Sequence, residues 1–374
     1  MNFGRAPHHH PGPRVLFVLK TRPGGAYGSW GYSANGGPLP SGMSVSVQQM
    51  VKALEMLGVV CKMVQVENNN FINPEIEAFK PTHVIIEGFW VVPDKFKVLE
   101  ALHPEAEFII RCHSNTEFLA HEGNMFGWTI DYLRNGIAVA FNSPEAARNF
   151  EELKKDEHLS GKILYLPNYY DFKTTSSVCW EFLQKLVIRH SKVKQHGEFH
   201  VGCFGAIRPL KNHMNQALAA LHVAKRMGLT LKFYVNANRV ENKGDSLLTA
   251  LRSLFNRVAP HQLVEIPWME HEEFQALLTD MDIVSQVSMS ETFNIVLADA
   301  VSVGVPVIGA NIPWLDDDYQ AVPNDVQSIE RVLHHTWLKS GNQTVQQRQR
   351  RTLSRYVQRS KDLWEDFLHM RHCD

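Results

Sequence analysis

Short, predominantly apolar runs that do not alternate with polar residues recur along this chain: VLFVLK (15–20), VVCKMVQV (59–66), HVIIEGF (83–89), FIIRCHS (108–114), AVAFNS (138–143) and KILYLPN (162–168). An alternating strand shows one face to water, whereas an unbroken apolar strand needs cover on both faces, and a parallel sheet between two layers of helices supplies it. Amphipathic spacing predicts such helices near 44–57 and 94–103. After a polar stretch at 171–199 the pattern restarts with HVGCFGAI (200–207), a helix from about Asn212 to Met227, LTLKFYVNA (229–237), LVEIPW (263–268), DIVSQVS (282–288) and GVPVIGA (304–310). A length of 374 residues is enough for two cores. The expected organisation is α/β: a tail at 1–13, one doubly wound Rossmann-like domain over 14–195, a second over 196–342, and a cleft between them. A polar, arginine-rich helix within 343–374 belongs to neither sheet.

The net charge of −1 provides no global field that would draw the protein to nucleic acid or a membrane, so a polyanionic partner has to be held by a local patch. Five scattered cysteines, Cys61, Cys112, Cys179, Cys203 and Cys373, form no C-x-x-C pair. Neither a disulfide framework nor a zinc site is indicated, which fits a reducing, cytoplasmic setting. No run approaches the roughly 18 apolar residues of a membrane span. His8, His9 and His10 sit among prolines and glycines and read as tail rather than as metal ligands.

The densest chemistry lies in SMSETFNIVLADAVSVGVPVIG (288–309), where a strand gives way to a polar turn, a helix and another buried strand. Glu291 and Asp299 are eight residues apart, about 12 Å on a helix that starts near Thr292. Two carboxylates so placed suit hydroxyls at opposite ends of a sugar-diphosphate-ribose ligand, with the free amides of Thr292 and Phe293 facing the diphosphate. A helix cap and a solvated side chain explain the pair equally well. A second string, GAIRPLKNHMNQALAAL (205–221), puts Arg208 and Lys211 in a strand-to-helix loop at the carboxyl edge of the sheet, where open α/β folds bind ligands. Two fixed cations there stabilise charge developing on a departing diphosphate. Alone, they read as surface charges near a helix start.

Together, GxxRPLKN (205–212), SETFNIVLADA (290–300) and GVPVIG (304–309) resemble the retaining E-x7-E glycosyltransferases of the GT-B fold. The resemblance implies that Arg208 and Lys211 hold the donor diphosphate, Glu291 the transferred sugar and Asp299 the ribose, although the usual residue there is a glutamate. It places the nucleobase, with a UDP-sugar favoured, against Pro267, Trp268 and Met269, and His113 over the donor sugar. It also implies retention of configuration by front-face attack without a metal. The acidic cluster Asp316, Asp317 and Asp318 follows a predicted loop and is given no metal-binding role.

The loop GGAYGSWGYSANGGPLPSG (24–42) matches neither a P-loop nor a dinucleotide signature. In the resembling enzymes such a loop approaches donor phosphate and acceptor, which assigns Gly36 and Gly37 to the donor. Tyr27, Trp30 and Tyr32 then become candidates for stacking on an acceptor sugar or base. Segment 77–150 also resembles bacteriophage-encoded glycosyltransferases, some of which decorate hydroxymethylated pyrimidines in phage DNA. Arg348, Arg350, Arg351, Arg355 and Arg359 offer phosphate contacts to such a duplex, and equally make an ordinary solvated helix face. A glycan or metabolite acceptor, or epimerisation of the nucleotide sugar in the same cleft, remain open.

Overall fold

The computed structural model describes residues 12–21, 41–121, 123–171, 197–341 and 344–369. Strands β1 (Arg14–Lys20), β2 (Val60–Val66), β3 (His83–Glu87), β4 (Glu107–Cys112), β5 (Ala138–Phe141) and β6 (Ile163–Tyr165) form one parallel sheet in the order β2-β1-β3-β4-β5-β6. A second parallel sheet, β11-β10-β7-β8-β9, is built from β7 (Glu198–Gly202), β8 (Thr230–Asn236), β9 (Gln262–Ile266), β10 (Ile283–Gln286) and β11 (Val307–Gly309). Every residue of β3, β5 and β10 is buried, as unbroken apolar strands between helical layers require.

The first sheet is covered by α1 (Gly42–Met56), α2 (Ile72–Phe79), α3 (Pro93–Leu102), α4 (Thr116–His121), α5 (Asn124–Arg134) and α6 (Pro144–Asp156). The second carries α7 (His213–Met227), α8 (Gly244–Phe255), α9 (His271–Leu278), α10 (Ile295–Ser302) and α11 (Val326–Ser340). The expected helices near 44–57, 94–103 and 212–227 form within two residues of their predicted starts. The helix expected from Thr292 instead begins at Ile295. Asn294 supplies the reason: it adopts a left-handed conformation with φ of 60° and its side-chain oxygen accepts from the amide of Leu297 at 3.0 Å, which fixes it as the N-cap. Glu291 therefore stands on the preceding loop rather than on the helix.

In each sheet the chain first builds to one side and then to the other, reversing between β1 and β3 and between β7 and β10. At such a reversal the loops leaving the carboxyl ends diverge and open a crevice.

The last helix, α12 (Thr344–His369), corrects the expectation that it belongs to neither sheet: it packs on both domains. Val345, Leu353 and Tyr356 join the apolar cluster that contains Phe293 and Trp314 of the second domain. The fully buried Gln349 donates to the carbonyl of Val307 at 2.7 Å and accepts from its amide at 3.0 Å, so one side chain satisfies the open edge of β11. About three turns later the helix has crossed to the first domain, where Ser360 donates to the carbonyl of Asn168 at 3.0 Å and the indole of Trp364 to that of Pro167 at 2.9 Å. Trp364 and Leu368 pack there with Phe17.

Candidate active site between the two sheets

The loops after β7 and β10 flank the crevice of the second sheet and carry Arg208, Lys211 and Glu291. Gly205 begins the first loop with φ of 105°, a conformation that side chains disfavour, and its amide donates to Asn236 at 2.8 Å. Pro209–Lys211 form a single tight turn, and Asn212, itself left-handed, donates to the carbonyls of Val287 and Pro323. Lys211 is thereby aimed across the crevice and its ammonium group pairs directly with Glu291. Both side chains are only partly accessible, at 14% and 10%, so a charge entering beside them meets a weakly screened pair. Arg208 lies next to them, 3.7 Å from Glu241, with its guanidinium 4.6 Å from the ring centroid of Phe118 in the first domain.

The first domain closes the other side. Asn115, just beyond β4, donates to the carbonyl of Glu291 at 2.6 Å, and Thr292 donates to the carbonyl of His113 at 3.1 Å. The turn carrying Glu291 is thus held from both sheets.

His113 follows β4 directly at the crevice, one residue past the strand end rather than on it as the sequence suggested. Its Nε2 meets the fully buried carboxylate of Glu87, and its Nδ1 lies 3.4 Å from the Asn142 amide nitrogen. Those partners suit the Nε2–H tautomer. Burial holds the imidazole below the ordinary histidine range, with Arg111 acting the same way and Glu87 opposing them. Glu87 in turn is gripped by Arg111 at 3.3 Å, and Arg111 donates to Asn168 at 2.5 Å and to the Leu166 carbonyl at 3.2 Å. Burial pushes the Glu87 carboxyl up, but Arg111 and His113 outweigh it and leave it below the usual carboxylate value. Sequence spacing gave no hint of Glu87 or Arg111, because in an apolar strand they read as interruptions.

Beneath Lys211, His213 opens α7 with neither ring nitrogen bonded to any described residue. Burial first, then the charges of Lys211 and Arg208, depress it to about 3. It is a neutral imidazole at any ordinary pH.

An apolar pocket adjoins the start of α10, walled by Val45, Trp268, Met269, Phe274 and Ile295, with Asp299 and His271 as its ionisable groups. Trp268 is stacked under Arg239, whose guanidinium lies 4.1 Å from the ring centroid. Pro267 is exposed outside this lining and its carbonyl accepts from Asn236 at 3.3 Å. The Asp299 side chain is buried at 3% accessibility, and one oxygen accepts from the Tyr170 hydroxyl at 2.8 Å and from His271 Nε2 at 2.9 Å. The Phe293 ring stacks on Tyr356 in the second-domain core, so only its backbone faces the helix start. His271 and Tyr170, which hold Asp299 at this candidate site, were not singled out from the sequence.

The remaining candidates separate. Tyr27, Trp30, Tyr32, Gly36 and Gly37 lie outside the described residues, as do His8, His9 and His10. Arg348 is occupied by Asp316 and Asp318, each at 2.6 Å, whereas Arg351, Arg355 and Arg359 are exposed at four-residue spacing along one face of α12. Arg350 is half-buried. Among the described residues no group of three or more His, Cys, Asp or Glu side chains is arranged to hold a metal, and no helix is long and apolar enough to cross a membrane.

Two parallel, doubly wound sheets presenting their ligand-side edges to one another, with a terminal helix lying on both, define the GT-B fold. The chain superposes on a trehalose 6-phosphate synthase from Burkholderia multivorans with a TM-score of 0.70, at 9% identity and 97% coverage of both chains. A glycosyltransferase from Rickettsia africae matches with a TM-score of 0.64 at 13% identity, over 98% of this chain and 100% of that one. An Anabaena protein solved with UDP and glucose gives 0.65 at 12% identity, over 96% and 100%. At these identities the likeness is one of fold. No protein-family model and no curated protein matches the sequence.

Proposed function

We propose that the protein is a metal-independent, retaining glycosyltransferase that moves a sugar from a nucleotide-sugar donor, a UDP-sugar by preference, to an acceptor hydroxyl. The observation that carries this reading is the Lys211–Glu291 pair at the crevice, beside the start of α10 and roofed by His113 and Asn115. Donor diphosphate displaces Glu291 from Lys211, and the freed carboxylate accepts from hydroxyls of the transferred sugar. The acceptor oxygen then bonds to the anomeric carbon on the face that the diphosphate leaves. The electron pair of the broken C–O bond passes to the phosphate oxygen, which takes the acceptor's proton, while Lys211 and Arg208 hold the charge. Structural neighbours solved with UDP support the choice of donor. The test is nucleoside diphosphate release from UDP-glucose and related donors, with and without acceptor. Conversion of the donor alone to its epimer, with no release, would replace transferase by epimerase.

The row Arg351, Arg355 and Arg359 favours one acceptor in particular, duplex DNA carrying hydroxymethylated pyrimidines. Binding through these groups falls with salt at a slope of roughly −0.9 per phosphate contact, and replacing all three with glutamine flattens it. A duplex that neither binds at low salt nor accepts sugar leaves a glycan or metabolite as acceptor.

A further inference from the structure

We infer that His271, held in place by Asp299, is the side chain that meets the ribose of the donor, and that Asp299 acts through it as a positioning residue. The inference rests on the nucleotide-sugar reading above and assigns a contact within that site. With the diphosphate at the start of α10, the next group along the ligand lies beside Asp299, four residues and about 6 Å further along the helix. Asp299 is poorly placed to serve it alone: its side chain is 3% accessible and one oxygen already accepts from both Tyr170 and His271. His271 has the complementary geometry. Its side chain is 30% accessible, it lines the same pocket as Trp268, Met269 and Phe274 and as Ile295 at the start of α10, and only Nε2 is engaged. Nδ1 has no partner among the described residues and is left for a ribose hydroxyl.

Burial acts to lower His271, but the hydrogen bond and charge of Asp299, with Glu272, outweigh it and leave the ring above the ordinary histidine value. Tyr170 comes from the segment after β6 in the first domain, so the anchoring of this contact spans both domains.

The experiment compares the affinity of UDP, or of whichever of GDP, ADP and CDP binds wild type more tightly, with that of its 2′-deoxy and 3′-deoxy forms. Wild type should prefer the ribonucleotide over at least one deoxy form by about five- to tenfold, the worth of one hydrogen bond. His271→Leu should abolish that preference while the deoxy form binds as before, which a merely structural role would not produce. His271→Gln, which restores a polar tip, should recover part of it and covers the case in which the leucine variant does not fold. Asp299→Asn should lose most of the preference, and the double variant with His271→Leu should be no worse than either single. Preference retained in His271→Leu and His271→Gln, or losses that multiply in the double variant, overturns the inference. Failure of every nucleoside diphosphate to bind wild type would instead overturn the nucleotide-sugar reading itself.

Discussion

The ligand-side edges of the two sheets carry similar charges and use them differently. In the first domain Glu87, Arg111 and His113 are locked to one another and to Asn168, with both members of the central ion pair fully buried. In the second, Lys211 and Glu291 pair across a partly accessible crevice, while the ionisable group beneath them, His213, has no partner among the described residues and stays neutral through burial. One edge spends its charge on fixed shape. The other keeps its charge exchangeable, which is what a site for an anion requires.

Acid should break this contrast most strongly. An unfolded histidine takes up a proton near its ordinary value, whereas His213 in the folded state stays neutral down to about 3. The unfolded state therefore binds more protons throughout that window, and stability is lost as pH falls from about 6.5 towards 3, by up to roughly 5 kcal/mol. Glu87 contributes in the same sense, in a lower pH window: its lowered folded value gives stability present above the unfolded carboxyl value and lost only as pH falls below it. Equilibrium unfolding of His213→Met against pH should remove the upper part of the acid transition and keep the lower. An unchanged profile would mean that His213 is not the buried group that charges.

Next in size is the first-domain pair. Arg111→Met leaves the Glu87 carboxylate buried without its main partner and should cost roughly 3–5 kcal/mol in denaturant unfolding. Lys211→Ala should cost less stability than that and much more turnover, roughly 3 kcal/mol of barrier in single-turnover sugar transfer, since its partner Glu291 keeps some access to water. If Arg111→Met unfolds no more readily than Lys211→Ala, the distinction between fixed and exchangeable charge fails.

The sheets were legible because hydrophobic burial leaves a local trace: an apolar run bounded by turn residues names a strand without any knowledge of its neighbours. Arg208, Lys211, Glu291 and His113 were legible as polar residues at strand ends, and the structure brings Lys211 and Glu291 together. The position of Asp299 was legible, but not its environment, because Tyr170 and His271 reach it from 129 and 28 residues away. The start of α10 was misplaced because Asn294 caps from a left-handed conformation that composition does not signal. Arginine content made α12 read as a solvated appendage, although its buried face of Val345, Gln349, Leu353, Tyr356, Ser360 and Trp364 repeats with the spacing of a helix packed along its length.

That helix has a mechanical consequence. The polypeptide passes from the first domain to the second, and α12 then carries it back to Pro167 and Asn168, so the chain bridges the halves twice rather than once. A panel hung from a single strap can twist and slide in its frame. Hung from two, it swings about the line between them. A second connection restricts sliding and twisting of one half against the other, which keeps the crevice rims in register and Asn115 opposite the Glu291 turn.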